Sequence, residues 1–516
     1  MLRFKVFQNG APAKSLSLEG AHLLGTDRVP LRAEIKFANG EIVCEPKARG
    51  AAALALMWPV KGLTKQVAAA AGVPDLSAAG GRMMLETARL VERARPYILN
   101  VELARGQLMR ISLKREDWGL YDYAEGAPIY QQVDQARDLL IAAITAPNEA
   151  KASELGDAAV AASVRAGEVV AAFHADVFLK RRIEEHKIVK RPLGCRIEPA
   201  GEWQAQIEPL SQAFDFALVP FSWRAIEPSE GKYQPEVLER CVQSLRMRKV
   251  PIWGQSLLSF DSAHLPDWLP TLADDYEQIR ERTARQIKYV LKQFGAHVRA
   301  WEVISGIHAS NAFKFSFEQL MDLTRVATIL VKQMSPRSKA IIGIVLPWGE
   351  YYASDPRTIP PPLYAEMAVE SGINFDAFGL EMQFGTGEQG LYVRDLMQIS
   401  ALLDRFGTLG KPLHITAAGV PSSGGSASRG SWRGAWSEAV QARWVREFFR
   451  IALSKPFVET VSWRMLADQS ADDDFGGLLR PDLSPKPACT ELKSLHQELK
   501  AGTPRTSGGA TPEIDI

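Results

Sequence analysis

The chain has 516 residues, more than one hydrophobic core normally organises, and its 46% hydrophobic and 23% charged residues are typical of a soluble globular protein. Its 61 Lys and Arg balance 60 Asp and Glu, so no overall field draws in polyanions; we expect no nucleic-acid partner and no membrane partner. The N-terminus lacks the apolar core of a signal peptide and no window reaches about 18 consecutive apolar residues, which favours a cytoplasmic location. The four cysteines lack CxxC spacing, which predicts buried free thiols.

The first 120 residues predict a small β-rich domain, with a sandwich-like arrangement as one alternative. AEIKF and EIVCE flank Asn39-Gly40, a strong hairpin signal because both positions tolerate positive φ. Further strands are predicted at 82–85 and across 97–113, around Arg105-Gly106.

Residues 121–192 predict a helical segment and linker. Val133, Ala136, Leu140 and Ala143 share one helical face, and Pro147 separates them from an alanine-rich second helix ending near Lys180. The two helices are expected to pair. The basic stretch that follows predicts a solvated helix end and linker in preference to a binding patch.

Residues 193–500 alternate short apolar runs with amphipathic helices. The strand candidates are FDFALVPF, VPIWGQSL, AWEVIS, AIIGIVL, FDAFGLEMQ, PLHITAA and TVSWRML. Repeated strand and helix over about 300 residues predicts an α/β fold, a (β/α)8 TIM barrel with its site where the strands end. The polar stretch 501–516 predicts a disordered tail.

Several strand ends resemble glycoside hydrolase family 10, the xylanase-type barrels that cleave β-1,4-linked glycans. The resemblance covers about residues 193–500. It is carried by AIEPSEGKYQPEVLERCV, WGQSLLSFDSAHLPDWL, AWEVIS, FDAFGLEMQ, KPLHIT and DFGGLLRPDLSPKPACTEL, in the family's order. It implies retaining hydrolysis by two glutamates, one acting as acid and base and the other as nucleophile.

At both implied catalytic positions the sequence departs from the family. The fourth-strand motif ends in Ser305-Gly306 where the family has Asn-Glu, and Ala417 follows Ile415-Thr416 where the family has its nucleophile. Neither a glycine nor an alanine side chain transfers a proton or forms a glycosyl ester. The sequence therefore predicts no catalytic residue at the family positions and loss of the family chemistry.

The surrounding sugar-binding positions are also changed. The third-strand histidines correspond to Gln255 and Phe260, and the sixth-strand Gln-x-His corresponds to Glu381 and Gln383. Glu381 is a ligand-binding candidate, with an ion pair to Arg224 or Arg464 as the alternative. For Glu302 a buried structural role is favoured over catalysis.

The candidate binding residues are those at strand ends that match or adjoin the family's sugar site: Glu381, Gln383, Gln255, Trp223, Trp301, Ser305 and Trp463. For each tryptophan alone, core packing is favoured over stacking on a sugar. The Gly/Ser-rich loop 422–436, with Trp432 and Trp436, predicts a mobile lid, a partner-docking segment or a disordered excursion.

No metal site or cofactor is predicted. The acids Asp472, Asp473 and Asp474 favour a solvated loop over a cation site, and His308 and His414 favour structural roles. No phosphate-binding or dinucleotide-binding motif stands in the required context.

Three functional hypotheses follow. The first is an inactive family 10-like protein, a pseudoenzyme that binds an oligo- or polysaccharide or serves as an interaction scaffold. The second is an active β-glycan hydrolase with relocated carboxylates such as Glu381. The third is a structural or assembly protein with a vestigial pocket, acting through a protein partner or a homo-oligomer.

Overall fold

The computed structural model describes residues 1–47, 49–61, 80–273, 275–310, 312–355, 357–387, 390–469 and 475–502. The acids at 472–474 and nearly all of the predicted tail, from residue 503 onward, lie outside these ranges. Within the described ranges, short 3-10 turns lie at Leu120–Asp122, Ala124–Gly126, Leu269–Leu272 and Glu350–Ala353.

The N-terminal strands form three small sheets. The strands are β1 (Leu2–Lys5), β2 (Phe7–Gln8), β3 (Ala11–Pro12), β4 (His22–Leu24), β5 (Pro30–Leu31), β6 (Ala33–Ala38), β7 (Glu41–Pro46), β8 (Ala53–Val60), β9 (Gly81–Glu86) and β10 (Tyr97–Ile98). One sheet has the order β10-β1-β7-β6, and β2 pairs with β3. The predicted hairpin is confirmed: β6 and β7 pair antiparallel around Asn39 and Gly40, whose φ angles are 52° and 77°.

The expected strands across 97–113 are wrong beyond Ile98. A helix occupies Leu99–Asp117 instead, with Leu99, Leu103 and Ile111 buried. Gly106, which suggested a turn, lies where the helix crosses the sheet: a Cβ there would stand 2.3 Å from the carbonyl oxygen of Glu86. A close backbone crossing, and not a turn, therefore accounts for this glycine.

Two further helices follow, at Ala127–Ile144 and Glu149–Glu184, and they pair as predicted. The second is long and apolar enough to span a membrane by length and composition, but 78% of its most apolar window is buried within the protein. Asn148 caps its start by accepting a hydrogen bond from the backbone N–H of Lys151 at 2.9 Å.

The remainder forms a closed parallel barrel, which confirms the predicted fold class. Its strands are β11 (Leu193–Arg196), β12 (Phe216–Pro220), β13 (Ile252–Gln255), β14 (Val298–Ser305), β15 (Lys339–Ile344), β16 (Ala377–Gln383), β17 (Leu413–Gly419) and β19 (Val458–Trp463). Its helices are Trp203–Ala213, Trp223–Ile226, Glu236–Met247, Tyr276–Phe294, Phe317–Met334, Pro361–Glu370, Leu396–Gly407, Glu438–Ser454 and Pro487–Ala501. The first barrel strand was not among the predicted runs.

The predicted Gly/Ser-rich loop 422–436 follows a barrel strand but pairs with the N-terminal sheet. Its residues Ser431–Trp432 form β18, which pairs antiparallel with β9 and completes a five-stranded sheet of order β18-β9-β8-β4-β5. Trp432 is fully buried, and its Nε1 donates a hydrogen bond to Glu168 of the helix Glu149–Glu184 at 2.6 Å. The structure therefore contradicts a disordered excursion and shows a segment docked on its own chain.

Buried charges join the N-terminal sheet to the barrel. Glu86, at the end of β9, accepts a hydrogen bond from Arg110 at 2.7 Å, and Arg394, in the loop after β16, binds Glu350 and lies 3.8 Å from Glu86. Both arginine side chains are 1–2% exposed. All four cysteines are buried and free, as predicted.

Candidate functional site

The two positions that the sequence resemblance assigns to the family glutamates lie at barrel strand ends. Gly306 directly follows β14 and has a φ of 68°, a left-handed conformation that side-chain-bearing residues rarely adopt. Ala417 lies on β17 and is 1% exposed. In the register of the sheet it is the partner of Glu381 on β16, so a methyl group stands beside this carboxylate.

Glu302 on β14 is the most enclosed carboxyl group of the site. Its side chain is 2% exposed. The backbone N–H and the hydroxyl of Ser256 donate hydrogen bonds to Oε2 at 3.0 and 3.2 Å, and the hydroxyl of Thr416 donates to Oε1 at 3.3 Å. These contacts tie β14 to the end of β13 and to β17, across the barrel interior.

Two glycines make room for this carboxyl group. A Cβ at Gly343 on β15 would lie 2.5 Å from Oε1 of Glu302, and one at Gly379 on β16 would lie 3.3 Å from it. The first distance is an outright clash. The residue types on the neighbouring strands therefore fit an acid at position 302.

The environment of Glu302 keeps its acid form at neutral pH. Burial raises the pKa of this carboxyl group to about 8, and the negative charge of Glu381 contributes in the same direction. The hydrogen bonds from Ser256 and Thr416 lower the pKa, but they offset only part of the rise. Glu302 and Glu381 thus form an electrostatically linked pair.

Glu381 is partly exposed and begins a hydrogen-bonded row of side chains at the strand ends. Gln383 donates from Nε2 to Oε2 of Glu381 at 3.1 Å, and Arg464 donates from Nη1 to Oε1 of Gln383 at 2.9 Å. All three side chains retain partial solvent exposure. Arg224, the other arginine considered for Glu381, instead pairs with Asp267 at 2.8 Å.

The structure buries the remaining polar candidates. Gln255 is 2% exposed at the end of β13, and neither polar atom of its side chain has a hydrogen-bond partner among the described residues. Ser305 is 4% exposed, and its backbone N–H donates to the carbonyl of Leu258 at 2.9 Å. Its hydroxyl lies 2.8 Å from where a Cβ on Gly343 would stand, beside Glu302.

The three candidate tryptophans pack inside the protein. Trp223 donates from Nε1 to Glu227 at 2.9 Å, and Trp463 donates to the carbonyl of Gly476 at 2.9 Å. Trp301 packs edge-on against Phe221, with ring centroids 4.8 Å apart. Each is at most 2% exposed, so none offers a free ring face to a sugar in this structure.

Asp468, in the loop after β19, and the two histidines considered at the sequence level have structural roles. Asp468 pairs with Lys486 at 2.6 Å, with both side chains 2% exposed. Burial lowers the pKa values of His308 and His414 to about 3, so both are neutral. Across the described ranges, no three His, Cys, Asp or Glu side chains come together as metal ligands would.

Sequence reasoning missed Ser256 and Thr416 as partners of Glu302. Ser256 was hidden inside the run SLLSF, where nothing marks one serine as a donor to a distant strand. The Ile-Thr pair before Ala417 was noted only for the missing glutamate that follows it. Only the closed barrel brings these residues around Glu302.

No family model matches the sequence, and no curated protein matches it. Among solved structures, the chain is similar to a GH10 endoxylanase retrieved from a sugarcane soil metagenome (14% identity, TM-score 0.48, covering 61% of this chain and 99% of that chain). It is also similar to xylanase 10B from Thermotoga maritima (16%, TM-score 0.46, 62% and 99%) and to an intracellular xylanase from Thermoanaerobacterium saccharolyticum (15%, TM-score 0.45, 58% and 95%).

At these identities and TM-scores the similarity assigns no activity to this chain. The barrel assignment follows from the strand pairing itself, in which β11 closes on β19. In that barrel Gly306 and Ala417 are the positions that the sequence resemblance assigns to the two glutamates. The charge of the partly exposed Glu381 helps to keep Glu302 protonated.

Proposed function

We propose that this protein is a catalytically inactive, xylanase-like barrel that binds a carbohydrate at its strand ends. The observation that carries the proposal is the row Glu381, Gln383 and Arg464, which presents a carboxylate, an amide and a guanidinium beside the methyl group of Ala417. Such groups hydrogen-bond sugar hydroxyls. A cytoplasmic location would make short oligosaccharides the first ligands to test.

The position of Glu302 supports binding without hydrolysis. A general acid must reach the glycosidic oxygen within hydrogen-bond distance. Glu302 is 2% exposed, and both of its oxygens already accept hydrogen bonds from Ser256 and Thr416. Glu302, whose protonated state would suit a general acid, is thus enclosed in the barrel and does not reach a substrate.

The test combines turnover and binding on the intact chain. We expect no release of product from xylan or aryl β-glycosides, and we expect calorimetry to detect an oligosaccharide identified on a glycan array. Glu381→Gln should weaken that binding at least tenfold. Glu370→Gln, an exposed acid on the helix Pro361–Glu370, serves as the matched control and should bind normally.

A screen without any glycan binding, together with a defined oligomer in light scattering or a partner in a pull-down, would replace this proposal by the structural or assembly role. Turnover that survives in the wild type and in Glu370→Gln but vanishes in Glu381→Gln would replace it by hydrolysis.

Hydrolysis is the second candidate, and one observation favours it. Glycosidases operate with two carboxyl groups whose pKa values are pushed apart, and Glu302 has a raised pKa beside the charge of Glu381. This function requires Glu302 to become accessible to substrate. Loss of turnover in both Glu302→Gln and Glu381→Gln would support it.

A further inference from the structure

Three arginines from separate elements meet at the turn between β4 and β5. Arg28 lies in this turn, Arg89 follows β9, and Arg405 lies near the end of the helix Leu396–Gly407. Arg89 donates from Nη1 to the carbonyl of Thr26 at 2.5 Å, and Arg405 donates from Nη1 to the carbonyl of Arg28 at 3.4 Å. Both guanidinium groups therefore approach the turn that carries Arg28.

The backbone of the turn fixes where the Arg28 side chain begins. Gly25 donates to the carbonyl of Val29 at 2.9 Å, and Arg28 donates back to the carbonyl of Gly25 at 3.1 Å. Arg28 itself has a φ of 59°, in the left-handed region. The residue is solvent-exposed, so a ligand can reach it.

Positive charge accumulates around Arg28. Partial desolvation and the neighbouring charges of Arg110, Arg405 and Arg89 hold the pKa of its guanidinium below the ordinary arginine value, and among its strongest influences only Glu86 acts in the opposite direction. Glu86 is already paired with Arg110 at 2.7 Å. Like charges gathered in this way repel one another.

Nearby acids offset only part of this surplus. Burial lowers the pKa of the Arg405 guanidinium, and the carboxylates of Asp27 and Glu366 act to raise it. Asp27 also accepts a hydrogen bond from the backbone N–H of Val29 at 3.2 Å, which holds its carboxylate within the turn. Among the strongest influences on Arg28 and Arg405, the acids are Asp27, Glu366 and Glu86, and Glu86 is already paired with Arg110.

We propose that the turn 25–29, with Arg28, Arg89 and Arg405, is a binding site for an oxyanion, such as a sulfate, phosphate or carboxylate group. Planar guanidinium groups suit such anions because each presents paired donors, and an anion between them relieves their mutual repulsion. The site lies where the N-terminal sheet meets the barrel helix Leu396–Gly407, and it does not depend on the function proposed for the barrel strand ends.

The test compares the intact wild type with Arg28→Asn, because asparagine tolerates the left-handed backbone and the change removes mainly the charge. Sodium phosphate and sodium sulfate are the probes, with sodium chloride at equal ionic strength as the baseline. We expect phosphate or sulfate to raise the Tm of the wild type and calorimetry to show at least tenfold weaker binding to Arg28→Asn.

Arg240→Gln, an exposed arginine on the helix Glu236–Met247, is the matched control and should respond as the wild type does. Arg405→Gln provides a second variant with the same expected loss of binding. Equal anion responses in the wild type, Arg28→Asn and Arg405→Gln would overturn the proposal.

Two further arms identify the source of the oxyanion. Dextran sulfate and polygalacturonate present it on a polysaccharide, and neutral dextran is their control. Tighter binding of either charged polymer than of inorganic phosphate would assign the site to an acidic polysaccharide, and the reverse order would assign it to a small free anion. Absence of binding by every anion would exclude the site, and the test of Glu381 would be unaffected.

Discussion

Glu302 in the barrel and Glu86 at the junction with the N-terminal sheet are both buried carboxyl groups, yet their protonation differs. Burial acts to raise the pKa of Glu86, but the charges of Arg110, Arg28 and Arg394 lower it to about 2. Around Glu302, burial acts together with the charge of Glu381, and the pKa rises to about 8. The neighbouring charge, more than burial itself, therefore decides which carboxyl group is ionised at neutral pH.

The difference separates two roles. Glu86 has a charged-tie role, meaning that its ion pairs link separate elements: Arg110 comes from the helix Leu99–Asp117 and Arg394 from the loop after β16. Glu302 is a neutral hydrogen-bonding group beside a charged one. The following predictions test this contrast.

The largest effect is expected at the junction. Arg110→Met removes the 2.7 Å partner of Glu86 and leaves a buried carboxylate with only the more distant charges of Arg28 and Arg394, so the free energy of unfolding should fall by about 3–5 kcal/mol in urea titrations. The double variant Glu86→Gln/Arg110→Met should recover much of the loss, since neither unpaired charge remains. A single-variant loss below about 1 kcal/mol would contradict the charged-tie role.

A smaller, pH-dependent effect is expected at Glu302. Its pKa is raised from 4.5 to about 8, so the folded state holds one more proton than the unfolded state between these values. Wild-type stability should therefore fall across that window as pH rises. Glu302→Gln removes this contribution and should gain stability relative to the wild type from pH 5 to pH 9.

Urea unfolding at pH 5, 7 and 9 measures the difference between the two proteins. Glu370→Gln, an exposed acid, is the control and should show no comparable trend. A wild-type minus Glu302→Gln difference that stays constant with pH would mean that Glu302 is ionised throughout.

The smallest effect concerns the link between the two carboxyl groups at the strand ends. Glu381→Gln removes one negative charge near Glu302, so the pKa of Glu302 should fall below its value of about 8. The measurement is the pH midpoint of the Glu302-dependent stability change, determined with and without Glu381→Gln. An unchanged midpoint would show that the charge of Glu381 does not reach Glu302.

Much of the fold was accessible from local sequence patterns. All seven predicted barrel runs contain strands, because each is a short apolar stretch between amphipathic helices. The first barrel strand, Leu193–Arg196, was missed because four residues with a central glycine carry little periodicity. The helix Leu99–Asp117 was mistaken for strands because both of its faces are partly buried, which blurs the helical repeat.

The site was accessible only in part. The predictions that Gly306 and Ala417 stand where the family has glutamates, and that Glu381 is a ligand-binding candidate, follow from the resemblance and stay predictions. The coupling of Glu302 to Glu381 does not, because register shifts at Glu302/Ile304 and at Leu380/Glu381 alter how side chains along β14 and β16 face each other. Such shifts depend on barrel closure and leave no local mark in the sequence.

The docked segment Ser431–Trp432 has a practical consequence for dissecting the molecule. A fragment beginning near residue 193 would lack β9 and Glu168. The edge of β18 would then be unpaired, and the indole of Trp432 would lose its hydrogen-bond partner. Truncation at the predicted domain boundary near residue 193 would thus expose an aggregation-prone strand edge that is paired in the intact chain. Deletion of the first 192 residues would then measure aggregation and not function. Point substitutions in the full-length chain are therefore the better way to assign functions to the N-terminal part and to the barrel.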